Sequence, residues 1–506
     1  MGPVTTSGAP AAVAEAAEIP PSVEHRTRRA RSSWRRMRLM DALFVGVVAG
    51  SAIAFYGMTT HGTWNPLYER PEFSGRFYLA QARAIVNGHL WVNRSQLPGE
   101  CFVHAGRCYG YFGLTPSLIR LPFLLLLDAV NKALTPVFVT AALTLATGSA
   151  VGILRRLLAT VKTRTSTDLV VAVLAVGLGP ASVLGILTRP AVYEEAIAWA
   201  VAFMALGAYC FLRWWEEPRR LWIVLLVVSL VLSANSRPTG LPFAVIVGVG
   251  VAWRLWRVRG TEAVSWSRVT FTAALVVALP IVTAVGVFLV KFGQVNPSYL
   301  LHQQVGVPYP SPWWVTIRRI DHDQFQSLRF VPTTLLAYGR PDTVTFTSSF
   351  PWVAYRFPGS VAGTAHIAYV AGLRPGSLYV DSTSSITAAM PLAFLAVLAA
   401  LVVGMRERFR RGARAAAAWW SSWRTVLVVA AVASWALVLT SVGVLNRYLG
   451  DAYPMLALGE VLALAYLVPK AERWGRLLRI GVTLVAVAGI GWQLLVNLGL
   501  EYRTWW

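Results

Sequence analysis

Carboxylates are scarce in this chain of 506 residues, Asp and Glu together numbering 23. Places where they gather with arginines, histidines and aromatics are therefore informative. Glu69, Glu72 and Glu100 belong to a stretch from about Trp64 to Pro122 that is dense in charge, aromatic rings and turn residues. A carboxylate held there suits general-base work on a hydroxyl nucleophile, with solvated loop charge as the alternative at each position. Tyr193-Glu194-Glu195 opens an apolar run after Arg189-Pro190. The helix dipole alone favours acids in a first turn, but two ionisable groups about to enter an apolar span read by default as functional. Neighbouring helix positions point about 100° apart, so one glutamate is expected to face a polar cavity while the other caps its own helix. Asn446 to Asp451 joins two apolar runs around a lone Arg447. A guanidinium there suits a phosphate, which it binds bidentately, with an Arg447–Asp451 ion pair closing the turn as the alternative. Arg237, in Asn235-Ser236-Arg237-Pro238, is a similar lone cation, and Arg120 and His104 are weaker members of the same binding set.

Metal and nucleotide chemistry find less support. Asp321-His322-Asp323 has ligand-type residues but no second cluster at ligand spacing, so no metal site and no cofactor is assigned, with a divalent cation kept as the alternative. Nothing matches a P-loop or a glycine-rich dinucleotide turn.

The elements that must position these residues follow from local patterns. After Ser74, a suitable N-cap, Phe77, Ala80, Gln81, Ala84 and Ile85 share one stripe, with Arg76 and Arg83 a heptad apart on another. Asn87-Gly88 is the expected stop. That describes an amphipathic helix lying along a membrane surface. Phe102 to His104, Ala105-Gly106 and Arg107 to Tyr109 predict a hairpin. Cys101 and Cys108 flank its tip, on the side where a disulfide persists. A two-residue turn puts Val103 opposite Cys108, so a bond and two free thiols both stay open, while Cys210 reads as a packing residue. Leu118 to Leu127 is too short to span and is expected to re-enter or lie in the interface.

Composition sets the class. The chain is 56% hydrophobic and 14% charged, against about 25% charged in soluble proteins. Its net charge of +23 sits in arginine clusters between apolar runs, as the positive-inside rule predicts, which argues against nucleic acid as a partner. The expected fold is an all-α polytopic membrane protein of about eleven transmembrane helices by the twenty-residue rule. Those runs are near Asp41–Gly57, Pro136–Leu154, Leu169–Leu187, Ala191–Leu212, Leu221–Ala234, Leu241–Trp253, Val269–Val290, Ala388–Met405, Val426–Val444, Pro454–Val468 and Ile480–Leu498. Residues 1–39 read as a disordered basic cytoplasmic tail. Residues 40–290 form a first transmembrane block that includes an interfacial helix/hairpin outer loop at 58–135. Residues 291–387 form a small, irregular or partly β outer lobe, and 388–506 a second transmembrane block. Lys and Arg place the N-terminus in the cytoplasm and the C-terminus outside, in a multi-pass plasma-membrane protein.

This layout resembles the GT-C superfamily of membrane glycosyltransferases. FYLAQARAIVNGHLWV at 77–92 and HAGRCYGYFGLTPSLIRLP at 104–122 are similar to the first loop of its aminoarabinose-transferase and protein-mannosyltransferase branch. YEEAIAW and RYLGDAYP have counterparts in uncharacterised actinobacterial membrane proteins. That branch carries an adjacent Asp-Glu pair before the interfacial helix, where this chain has Glu69 and Glu72, separated. The resemblance implies an inverting transferase in the lipid bilayer that moves a sugar from a polyprenyl-phosphate donor to a glycan, lipid or protein acceptor of the cell envelope. Glu72, Glu100 or Glu69 would be the base, and Arg447 or Arg237 would bind the leaving phosphate. A transporter or flippase of a lipid-linked sugar, marked by charge near mid-membrane, is the alternative to which Glu460 belongs. A non-catalytic envelope scaffold is the third.

Overall fold

The computed structural model describes residues 23–68, 75–97, 101–159, 184–258, 266–295, 326–340, 344–348, 352–355, 379–380, 385–411, 422–441, 443–444, 447–471 and 476–505. The chain forms two units, Met1–Val45 and Gly46–Trp506. The first contributes the N-terminal part of α1 (Val23–Thr59). Helix therefore begins inside the stretch that composition assigns to a disordered tail. Its Arg and Ala residues are good helix formers, and the apolar run that follows gives the helix somewhere to continue.

In the second unit the elements that build the first outer loop are α2 (Phe77–Val86), a hairpin of β1 (Phe102–His104) and β2 (Arg107–Tyr109), α3 (Thr115–Arg120) and α4 (Leu124–Val130). Ser74 lies outside the described residues, and Arg76 takes the N-cap position of α2 without a side-chain cap. The stop at Asn87-Gly88 forms as the sequence suggests, with Gly88 at φ +77°. The expected single apolar stripe is corrected. Phe77, Tyr78, Leu79, Gln81, Ala82 and Ala84 are buried, whereas Ala80 and Ile85 are half-exposed. The helix is gripped on more than one side because Phe77, Tyr78 and Phe112 pack edge to face at ring separations of 5.1–6.3 Å.

The hairpin register pairs Val103 with Cys108, and both turn residues are left-handed, Ala105 at φ +50° and Gly106 at φ +77°. That is the primed turn a two-residue hairpin needs. Cys101 and Cys108 are joined by a disulfide, with their Cα atoms 5.4 Å apart. The bond runs diagonally from the residue before β1. Leu118 to Leu127 is broken by a 3-10 turn at Leu121–Phe123 between α3 and α4, and Leu125 is 88% exposed.

The long helices follow: α5 (Thr135–Ala159), α6 (Val192–Glu216), α7 (Arg220–Ala234), α8 (Gly240–Val258) and α9 (Trp266–Phe292). Among the described residues, five segments are long and apolar enough to cross a membrane: Asp41–Thr59, Thr135–Leu158, Val192–Glu216, Gly240–Val258 and Val269–Phe292. Shorter apolar helices cover Arg220–Ala234, Trp423–Leu439, Tyr453–Ala465 and Thr483–Gln493. Leu169–Leu187 falls largely outside the described residues.

The remaining elements are α10 (Val331–Gly339), β3 (Val344–Phe346), β4 (Val353–Tyr355), β5 (Tyr379–Val380), α11 (Ile386–Ala389), α12 (Pro391–Arg411), α13 (Trp423–Leu439), β6 (Gly443–Val444), α14 (Tyr448–Asp451), α15 (Tyr453–Ala471) and α16 (Arg476–Trp505). Two of the expected spans are corrected here. Met390 leaves helical geometry at φ −138°, as a residue before proline must, so the run from Ala388 breaks at Pro391. The run Val426–Val444 ends as a helix at Leu439, and Gly443–Val444 instead pairs in parallel with β5. β3 and β4 pair antiparallel. Tyr338 and Val353 from this lobe share a core with Met390, Trp435, Leu449, Leu456 and Val496.

Candidate functional site

The polar residues converge on the first turn of α6. Ala191 is its N-cap, without a side-chain cap bond, and Glu194 and Glu195 lie in its first turn. Both are buried, at 6% and 0% exposure. The two carboxylates, pointing about 100° apart, have different surroundings: Glu195 is paired with Arg120, whereas Glu194 Oε2 has no hydrogen-bond partner among the described residues.

Glu195 meets Arg120 of α3 in a two-pronged pair. Arg120 Nη1 donates to Oε1 and Nη2 to Oε2, the latter at 3.0 Å. Arg120 Nη1 also donates to Pro116 O at 3.1 Å, and its guanidinium lies 4.2 Å from the centre of the Phe138 ring. Arg120 is fully buried. A charge so dry persists only when paired and hydrogen-bonded. Thr135 closes the arrangement by donating to Gly75 O at 2.8 Å. Tyr78 of α2 donates to Val192 O at 2.9 Å. Burial, with Glu195 adding to it, raises the Tyr78 phenol well above its ordinary value, so it stays a donor.

Glu194 lies within electrostatic reach of Arg447, whose guanidinium sits 4.0 Å from the centre of the Tyr193 ring. Burial disfavours the charged form of Arg447, and Glu194, Tyr448, Tyr193 and Tyr111 more than offset it. Glu194 Oε2 and Arg447 Nε are both buried with no hydrogen-bond partner among the described residues. A second ion pair joins the turn after α7 to α14: Arg237 Nη2 lies 3.1 Å from Asp451 Oδ2, and Thr239 Oγ1 donates to Oδ1 at 2.9 Å. Burial raises the Asp451 carboxyl, against the pull of Arg237. Arg237 also lies 5.0 Å from the centre of the Tyr448 ring. The sequence alternative that pairs Arg447 with Asp451 is thus replaced by Arg237 with Asp451.

Arg120 is thus paired with Glu195 and Arg237 with Asp451, while Glu194 lies within electrostatic reach of Arg447. His104 does not join them; it sits at the exposed hairpin end beside Gly293. Glu69, Glu72, Glu100 and the Asp321-His322-Asp323 triplet lie outside the described residues. Among the described residues no three His, Cys, Asp or Glu side chains cluster as metal ligands.

Sequence reasoning missed Lys291. It is 1% exposed at the end of α9, and its ammonium donates to Gly110 O at 3.1 Å and Phe112 O at 2.7 Å, fastening the hairpin exit to that helix. The signal was available: a lysine at the outer end of an apolar run opposes the positive-inside bias, as Arg447 does. Gly113 completes the fastening. A Cβ there would fall 1.7 Å from Asn235 O, the carbonyl that accepts from Thr115 N at 3.1 Å.

Comparison with known proteins adds a class. Residues 128–296 match the family model of dolichyl-phosphate-mannose-protein mannosyltransferases, a GT-C family. That segment is about a third of the chain and carries Glu194, Glu195 and Arg237. Among solved structures, the chain is similar to the apo oligosaccharyltransferase of Archaeoglobus fulgidus, at 13% identity and a TM-score of 0.48, over 91% of this chain and 56% of that one. The archaeal oligosaccharyltransferase AglB from the same organism, in complex with an inhibitory peptide and a dolichol-phosphate, is similar at 13% identity and a TM-score of 0.48, over 90% of this chain and 56% of that one. The chain thus spans just over half the length of these structures. No curated protein sequence matches it.

Proposed function

We propose that this chain is a membrane glycosyltransferase of GT-C type, which moves a sugar from a polyprenyl-phosphate donor to a cell-envelope acceptor at the outer face of the plasma membrane. The observation that carries the reading is the convergence of Arg237 and Arg447 with Glu194 and Asp451 at the start of α6, two of the turns involved being inside the segment that matches the mannosyltransferase family. Of the two arginines, Arg447 is the better phosphate ligand. Arg237 is committed to Asp451, whereas Arg447 lies partly exposed over an aromatic ring with an unsatisfied Nε. A guanidinium there offers fixed donors to the charge that develops on the leaving phosphate.

In this reading Glu72 or Glu100, with Glu69 as the third candidate, takes the proton of the acceptor hydroxyl. The hydroxyl oxygen attacks the anomeric carbon, and the carbon–oxygen bond to phosphate breaks with its electron pair going to the phosphate. The anomeric centre inverts. About eleven spans, with the N-terminus in the cytoplasm and the C-terminus outside, would place the site against the outer leaflet.

The test is transfer from a radiolabelled polyprenyl-phosphate sugar by the full chain in liposomes. Substituting the true base, as Glu72→Gln or Glu100→Gln, is expected to lower the rate by about 10²–10⁴. Full transfer by both variants would remove these residues as the base.

A further inference from the structure

α2 has two working sides. Tyr78 faces the ion-pair cluster through its bond to Val192 O. The opposite side lines an open cleft of about 310 Å³, walled by Arg76, Arg83, Asn87, His89, Trp91 and Gln96. Asn131, at the left-handed end of α4, contributes a third amide. This volume is at the lower end of small-molecule sites and fits about one or two sugar rings.

The chemistry of the wall selects among ligands. A side-chain amide presents an acceptor and two donors side by side. It can therefore accept from one hydroxyl and donate to the next, and Asn87, Gln96 and Asn131 repeat that pattern around the cleft. Arg83 in the wall is ion-paired, its Nε donating to Asp128 Oδ1 at 2.7 Å, so its charge is offset for a neutral ligand. The wall is also stiff. His89 stacks on Trp91 with ring centres 3.9 Å apart and an interplanar angle of 10°, and His89 Nδ1 lies 3.1 Å from Trp91 O. Val92 is fixed to the hairpin through its amide, which donates to Cys108 O at 2.9 Å. Stiff donors and acceptors lose little entropy on binding.

We propose that this cleft is a saccharide-binding site, distinct from the arginine cluster, that takes a polyhydroxylated ring of a neutral glycan chain. The inference goes beyond sugar transfer, and binding does not depend on transfer.

The test uses the full chain in nanodiscs and fluorescence polarisation with labelled tetrasaccharides of mannose, glucose, galactose and arabinose, none carrying lipid or phosphate. At least one is expected to bind, N87A/Q96A to weaken that binding at least tenfold, and R447K to leave it unchanged. These cleft side chains are exposed or half-buried, so the melting temperature should hold; if the double variant melts early, Q96E alone is read in its place. Absence of binding by all four probes would overturn the proposal. So would loss of binding in R447K with retention in the cleft variants, because that pattern puts the saccharide in the arginine cluster.

Discussion

Removing one member of the Arg120–Glu195 pair leaves the other charged and dry. Both side chains are at most 1% exposed, so Glu195→Gln is expected to cost about 3–5 kcal/mol, read as a shifted denaturant midpoint in mixed micelles. Arg120→Met combined with Glu195→Leu should cost less than either single change, since no orphan charge remains. A double variant less stable than both singles would show that the pair earns its place by more than mutual neutralisation. Arg447 makes the opposite case. It is partly exposed and keeps an unsatisfied Nε. Arg447→Lys retains the charge but loses the planar fork. If the proposed transfer holds, kcat should fall by about 10²–10³, the usual loss on removing one preorganised donor, with the melting temperature unchanged. An unchanged kcat would free Arg447 of that role.

At the scale of elements, short-range chemistry was readable in the sequence and long-range pairing was not. Ala105-Gly106 and Asn87-Gly88 act through their own backbone angles, and these are set within a few residues. The partners of the charged groups are another matter. Thr239 reaches Asp451 across 212 residues and Arg120 reaches Glu195 across 75. Sequence gives the charge of each group but not which surface it will be folded against. Burial was not legible either: Arg120 reads as a weaker member of the binding set, and the structure makes it the driest cation of the cluster. The docking of the first outer loop on the turn after α7 depends on backbone contact, so it can be tested with one methyl group. Gly113→Ala would force its Cβ into Asn235 O and should cost at least about 1–3 kcal/mol. Gly286→Ala, in a helix with open space around it, should be neutral or stabilising by up to about 1 kcal/mol. Equal effects from the two would mean that the close approach does not matter.

For the whole molecule, the helical membrane class was legible because apolar runs and arginine clusters alternate along the chain. The exact spans were less so, since Pro391 and the strand at Gly443–Val444 cut runs that hydropathy joins. The proposed orientation makes a direct prediction. A reporter active only outside the cytoplasm should be active when fused after Trp506 and silent when fused before Met1. Activity at both ends, or at neither, would require an even number of crossings.

The first turn of α6 has one more consequence, for how this protein can be rebuilt. Of two adjacent glutamates there, Glu195 is ion-paired with Arg120 of the first outer loop, and Glu194 lies within electrostatic reach of Arg447 of the C-terminal block. The turn therefore works as a two-sided key. One extra residue inserted directly after Glu195 would turn both carboxylates by about 100° relative to the rest of α6, breaking the Arg120 pair and moving Glu194 away from Arg447. A chimera that takes its first loop from one homologue and its C-terminal block from another must carry a matching α6 start from both, so residues 120, 194, 195 and 447 can be exchanged only as a set.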